Sequence, residues 1–444
     1  MQEQLKRSIG VFGLTAAVIN MTIGTGIFVL PALAAEHMGT AALFAFLVCG
    51  FLIFLIALCF AETGSRFSVS GGAYTYIEFA FGNYAGFLAN VIFVTSCVLA
   101  DAASARAVAK TLSFFWPALD APVFRSLFCF LLFATLAFVN IRGAKQGMRF
   151  IVITTVAKLI PLLLVVVLGT TQMNWSALTV SAHFELNNLG AATLVLFFAF
   201  IGLETAVANG GEFKNPARTV PLGLFWGLLI VLLLYMAIQL ITQGVLGNEL
   251  IKYKEAPITA VAQKLLGTAG LTITVIGTAL SMIGGISGEV LGIPRILYAG
   301  ARDGLMPSFL FKVHPSFATP YYAILTYTLC CFILSVTGSI QQLLVLSSAS
   351  ILLIYLGVVL SVIRFRLQKP KTDTAFRMPG GFTIPVVASI IILWVLSNLS
   401  KQELIGVFIT LAALSVIYVL MQMVKKKQNI LTKKIDSEEG NTIQ

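Results

Sequence analysis

Charge is what this chain has least of. Asp, Glu, Lys and Arg make up 11% of its 444 residues, and hydrophobic types 58%, where soluble domains carry about 25% and 45–50%. With many apolar runs of membrane length, that excludes a soluble globular enzyme. Histidine is scarce too: His37, His183 and His314 sit in separate loops, so no His-based metal or catalytic cluster is expected. The cysteines Cys49, Cys59, Cys97, Cys129, Cys330 and Cys331 all fall inside apolar runs. They are expected as free thiols that pack as small apolar residues, not as a disulfide framework. A cleavable signal peptide is not expected, since MQEQLKRS leads into the first run without a small-residue cleavage site. Nor does a paired nucleophile and base, or any cofactor fingerprint, occur, so neither a cofactor nor an enzymatic activity is expected.

What remains is a membrane protein. Twelve spans can be drawn, at roughly 9–35, 40–63, 84–110, 122–141, 148–169, 188–211, 219–244, 270–301, 319–337, 340–364, 382–399 and 403–424. The net charge of +11 reflects loop placement and not nucleic-acid binding. With the N-terminus in the cytoplasm, Lys6, Arg7, Arg66, Arg142, Lys145, Arg149, Lys214, Arg218, Arg302 and Lys312 lie inside. So do Arg364, Arg366, Lys369, Lys371, Arg377 and Lys425 to Lys427, while Lys252, Lys254, Lys264 and Lys401 lie outside. This asymmetry sets both termini in the cytoplasm of a multi-pass protein of the cell membrane. The tail 425–444 is polar and charged, and is expected to be disordered.

The first span carries Gly24-Thr25-Gly26 at its centre. Two glycines around a threonine weaken a helix, because glycine loses the most backbone entropy when held helical. Either continuous helices pack there on small residues, or the helix breaks. In the second case its latter half starts near Ile27 and offers N–H groups to a ligand carboxylate. The span 188–211 echoes it, with Gly202, Glu204 and Thr205 amid apolar residues. A second interrupted span five helices after the first is what an inverted five-plus-five repeat predicts, and favours broken helices. The expected fold is therefore all-α, with twelve transmembrane helices and broken helices 1 and 6. Its repeats cover about 9–169 and 188–364, followed by peripheral helices over about 382–424.

Several stretches resemble the amino acid–polyamine–organocation transporters, which share the leucine-transporter fold. IGTGIFVLPA is similar to that family's first-helix signature. SGGAYTYIEFAFGNYAGF resembles the segment leading into its third helix, and FAFIGLE with GEFKNPARTVP its broken sixth helix and the following loop. GIPRILYAGARDGLMP resembles the inner half of its eighth helix. One departure is Phe67-Ser68-Val69-Ser70, where many members have a proline, which bears on the shape of that loop. The resemblance implies a secondary transporter of amino acids or related amines working by alternating access, with helices 1, 3, 6 and 8 lining the site. The substrate carboxylate would meet the backbone around Thr25, Gly26 and Ile27. Its ammonium would meet carbonyls near Ile23 and from Phe198, Ala199 and Phe200 to Ile201. One of Phe198 and Phe200 would form an aromatic lid, although packing roles suit either ring.

Charges at membrane depth are costly and need a reason. Asp101 lies about 17 residues into the third span, ~25 Å along a helix from the inner face. It either projects into the site, where related arginine/agmatine exchangers resemble it with an asparagine, or pairs with Arg106 or Lys110. Glu289 lies about 13 residues, ~20 Å, from Arg302, at mid-membrane. By resemblance it flanks the substrate side chain, and otherwise it partners Lys158 or Arg295. Glu204 matches a glutamate of related exchangers with a part in gating, and can also cap the second half of helix 6. Lys158, roughly ten residues into the fifth span, resembles the lysine that takes the place of sodium in sodium-independent relatives, unless it snorkels to the headgroups. Glu62 and Glu78 are expected to pair with loop cations near the inner surface.

The function expected is transport of an amino acid, with proton-coupled symport or exchange and no sodium. A cationic substrate leads, since Asp101 and Glu289 would place two negative charges in the pocket. A neutral amino acid or polyamine carrier is the alternative. A permease-like sensor is a weaker one, lacking any evident output domain. The partners expected are the small-molecule substrate, protons and the lipid bilayer.

Overall fold

The computed structural model describes residues 9–66, 72–142, 158–178, 186–207, 213–254, 256–302, 306–368 and 376–441, with the side chains of 176, 177, 186, 187 and 424–441 outside it. Lys6, Arg7, the loop Phe67 to Ser70, Lys145, Arg149, His183, Lys369 and Lys371 thus lie outside the described residues.

The described chain is helical, and its β-type contact is one isolated bridge between Ile9 and Phe213. The helices are α1 Val11–Thr22, α2 Gly26–Met38, α3 Ala42–Arg66, α4 Ala73–Phe81, α5 Asn83–Leu112 and α6 Pro122–Arg142. Then come α7 Lys158–Gln172, α8 Leu186–Leu196, α9 Leu203–Val207, α10 Pro216–Leu246 and α11 Pro257–Arg302. The series ends with α12 Tyr321–Thr337, α13 Ile340–Leu367, α14 Thr383–Leu396 and α15 Lys401–Asn441. Among the described residues, eight helical stretches are long and apolar enough to cross a membrane. Four shorter apolar helices, α1, α7, α12 and α14, accompany them. The chain is a multi-pass, all-α membrane protein.

Two departures from expectation have local causes. The span placed at 270–301 belongs to a longer element, α11, which turns at Gly267 with φ 61°. The tail beyond Val424, expected as disordered, continues the backbone of α15 to Asn441. Its Lys, Gln, Glu and Leu residues are good helix formers, and no proline interrupts them. All six cysteines are free thiols, five buried and Cys330 exposed.

The interior has two apolar clusters. The larger gathers α1–α3, α8, α10 and α13, and includes Phe28, Phe46, Phe200, Tyr235 and Tyr355. The smaller joins α5, α6, α11 and α12 through Phe87, Phe133, Val290 and Tyr327. Outward, α15 exposes Ile405, Phe408, Ile409 and Leu420, a face that suits acyl chains, where helices satisfy their own backbone groups. One edge of α15 docks on α5: Tyr84 and Ser415 share a hydroxyl hydrogen bond of 2.6 Å, and Tyr418 packs on Phe87.

Candidate functional site

The site begins where α1 stops. Its last backbone bond runs from Ile23 N–H to Ile19 O at 3.0 Å, and Ile23 itself is extended. Gly24 and Thr25 lie between the two helices, with Thr25 as the N-cap of α2, which starts at Gly26. The first N–H groups of α2 have no acceptor within their helix. Thr25 is buried and its hydroxyl donates to Ser104 Oγ of α5 at 2.7 Å. Ile23 and Ile27 are buried, whereas Gly24 is half-buried with open space beside it.

The second break lies against the first. α8 tightens into a 3-10 turn over Phe197–Phe200, Ile201 is extended, and Gly202 takes φ 123° before α9. Two glycines allow the crossing. A methyl on Gly26 would lie 2.8 Å from Ala199 Cα and 3.1 Å from a Phe198 ring carbon. One on Gly202 would lie 2.5 Å from Met21 O, at a backbone angle that L side chains rarely adopt. Tyr235 of α10 joins the two breaks: its hydroxyl lies 2.9 Å from both Thr22 O and Ala199 O and shares its one proton between these carbonyls. Phe200 packs edge-on against the Tyr235 ring at 5.3 Å. Phe198 is the ring that lies beside Gly26.

Glu204 stands at the start of α9, where the expected cap is made: its Oε2 accepts from Gly202 N–H at 3.1 Å. The same oxygen accepts from the Tyr355 hydroxyl of α13. Tyr355 in turn packs on Phe60 and Phe197.

Asp101 and Glu289 meet at one tyrosine. The Tyr327 hydroxyl of α12 lies 2.9 Å from Asp101 Oδ2 and 3.4 Å from Glu289 Oε2. Asp101 is 2% exposed, while Glu289 is half-buried, between the exposed glycines Gly285 and Gly292 on its own helix. Of the four cations offered as alternative partners, three have other bonds. Arg106 donates to Ser335 O at 2.9 Å, Lys110 pairs with Asp120 at 2.8 Å, and Lys158 bonds to α1. Among the described residues, no ion pair reaches either carboxylate.

Lys158 is buried, and its ammonium donates to Asn20 O in the last turn of α1. Among the described residues it makes no hydrogen bond to α11. Glu62 pairs with Arg66 at 2.8 Å and with Arg366. Sequence reasoning missed Ser104, Tyr235, Tyr327 and Tyr355. The available signal was a hydroxyl group inside an apolar span, where polar groups need a partner.

Two crossed helix breaks walled by polar side chains are the architecture of a carrier-type membrane protein. Comparison with known proteins agrees. The amino acid permease family matches residues 9–424. The serine/threonine exchanger SteT of Bacillus subtilis is 30% identical over 86% of this chain and 89% of its own. The branched-chain amino acid permease BcaP of the same organism is 28% identical over 96% of each. Cationic amino acid transporter 4, vacuolar, of Arabidopsis thaliana is 27% identical over 83% of this chain and 64% of its own. The chain belongs to the amino acid permease family of the amino acid–polyamine–organocation superfamily, and is an amino acid transporter.

Proposed function

We propose that this permease carries cationic amino acids across the cytoplasmic membrane by alternating access, without sodium. The observation that carries the reading is the Asp101–Tyr327–Glu289 contact, which has no cation beside it among the described residues. Two carboxylates in a low-dielectric interior are unfavourable unless positive charge arrives. The side chain of arginine, lysine or ornithine would bring it. The α-carboxylate would sit at the N–H groups of Thr25, Gly26 and Ile27, where the dipole of α2 favours an anion. The α-ammonium would face the carbonyls of Ile23 and of Phe198, Ala199, Phe200 and Ile201, with Phe198 as lid.

Lys158 would supply the positive charge that sodium supplies elsewhere, and Glu204 would gate, with protons as the coupling ion in symport or exchange. The twelve spans would form an inverted repeat with both termini in the cytoplasm. A neutral amino acid is the second reading, favoured by the similarity to SteT, a serine/threonine exchanger, and BcaP, a branched-chain amino acid permease. A polyamine would leave the carboxylate-binding backbone unused.

The test is purified protein in liposomes, given radiolabelled arginine, lysine, serine, leucine and putrescine. Each is measured with and without a proton gradient, and with choline in place of sodium. Arginine or lysine uptake that survives sodium removal is expected. Uptake of serine or leucine with none of arginine or lysine would refute the cationic reading.

A further inference from the structure

Tyr327 comes from α12, a helix that the family resemblance leaves outside the site. It is fully buried, yet its hydroxyl reaches both carboxylates, at 2.9 Å and 3.4 Å. A phenol has one proton to donate, so at these distances the full bond goes to Asp101. Glu289 keeps the freer and more exposed carboxylate. The other titratable groups facing the pair are Cys97 on α5, Cys331 on α12 and Glu204 on α9. None of them is a cation. The neutral hydroxyl therefore stands where a donor is needed, and fixes the direction in which the Asp101 carboxylate points. Tyr355 already engages Glu204 and the Cys97 thiol bonds Glu289, so the Tyr327 hydroxyl is left to order Asp101.

We propose that Tyr327 is a positioning residue for substrate selection. It holds Asp101 behind Glu289, so that the pair presents one focused negative site to a cationic side chain. The inference rests on the cationic reading of the pocket. It adds a division of labour: Glu289 contacts the substrate, Asp101 supplies charge at one remove, and Tyr327 holds Asp101 in place behind it.

The experiment measures transport in liposomes by wild type, Tyr327→Phe, Asp101→Asn, Glu289→Gln and the Asp101→Asn/Tyr327→Phe double variant. Arginine and its neutral isostere citrulline serve as competing substrates, and the melting temperature of each purified variant controls for folding. Losing a hydrogen bond to a buried charge should raise the KM for arginine about ten- to a hundredfold. The kcat of Tyr327→Phe and its inhibition by citrulline should stay within about twofold of wild type on the same accounting. In the Asp101→Asn background, Tyr327→Phe should add little, because the carboxylate it orients is gone. Equal effects on arginine and citrulline, or a fall in kcat alone, would show a merely structural tyrosine and overturn the proposal. If Asp101→Asn and Glu289→Gln raise the arginine KM while Tyr327→Phe does not, the Tyr327 assignment alone fails. If neither carboxylate variant changes it, the cationic reading fails and the assignment with it.

Discussion

Glu62 and Arg366 face each other in the interior, with side chains only 1% and 3% exposed. The Arg366 Nε donates to Glu62 Oε1 at 2.9 Å and its Nη2 bonds the other oxygen, while Glu62 also accepts from Met378 N–H at 3.1 Å. Arg366 binds the carbonyls of Met378 and Gly381 as well. The end of α3, the end of α13 and the segment before α14 are thus tied at one charge pair. Removing Glu62 leaves Arg366 buried and uncompensated, which costs about 3–5 kcal/mol, whereas removing Arg366 leaves Glu62 its pair with Arg66. Glu62→Ala should lower the melting temperature of the purified protein sharply, and Arg366→Ala by less. The double variant should melt above the sum of the single losses. Additive losses would mean that the pair is not coupled.

Tyr235 makes the second prediction. Its hydroxyl caps Thr22 O and Ala199 O, one carbonyl from each break. Tyr235→Phe keeps the ring that packs on Phe200 but leaves buried acceptors without their donor, at about 1–3 kcal/mol. Substrate affinity should fall about fivefold to a hundredfold by the same figure, read by equilibrium binding in detergent. Wild-type affinity in this variant would mean that the breaks hold their register without it.

The third prediction separates three glycines. Gly26→Ala drives a methyl into the backbone of Ala199, and Gly202→Ala into Met21 O at a positive φ. Overpacking and backbone strain of this kind cost about 1–3 kcal/mol each. Both variants should lose transport. Gly24→Ala meets only Thr22 O at 4.0 Å, so it should keep the fold, and any loss there should appear as weaker substrate binding. Transport by Gly202→Ala at the wild-type rate would contradict the tight crossing of the two breaks.

Both breaks were legible in the sequence because each needs glycine where backbones touch. Gly24-Thr25-Gly26 and Gly202 stand out in runs otherwise made of large apolar residues. The burial of Asp101, Glu204 and Lys158 was legible for a related reason, since a charge within an apolar run has few places to go. Their partners were not. Whether Asp101 meets Arg106 or Tyr327 depends on how α5, α11 and α12 cross, and periodicity within one helix does not encode that. Tyrosine hides well in such a sequence, because the residue also serves as an ordinary interfacial anchor. The 3-10 turn at Phe197–Phe200 was hidden for another reason: LVLFFAF reads as unbroken apolar helix.

Lys158 makes the last prediction. It is buried, and its ammonium donates to Asn20 O, in the turn that ends α1 just before the break. A fixed positive charge there can do what a bound sodium ion would do: hold the end of α1 against its neighbours through a backbone carbonyl. Burying an ammonium without enough partners is costly, so its position suits a group whose charge or contacts change during the transport cycle. Transport should therefore need no sodium, and Lys158→Ala should abolish it or uncouple it from protons. The acceptor is a main-chain oxygen, so Asn20→Ala should preserve the contact and spare transport about as well as any exposed substitution. Uptake in liposomes with choline replacing sodium at fixed membrane potential tests the first part. Proton flux during uptake by the two variants tests the second. Sodium-dependent uptake, or a Lys158→Ala protein with wild-type kinetics and pH dependence, would show that the lysine only packs.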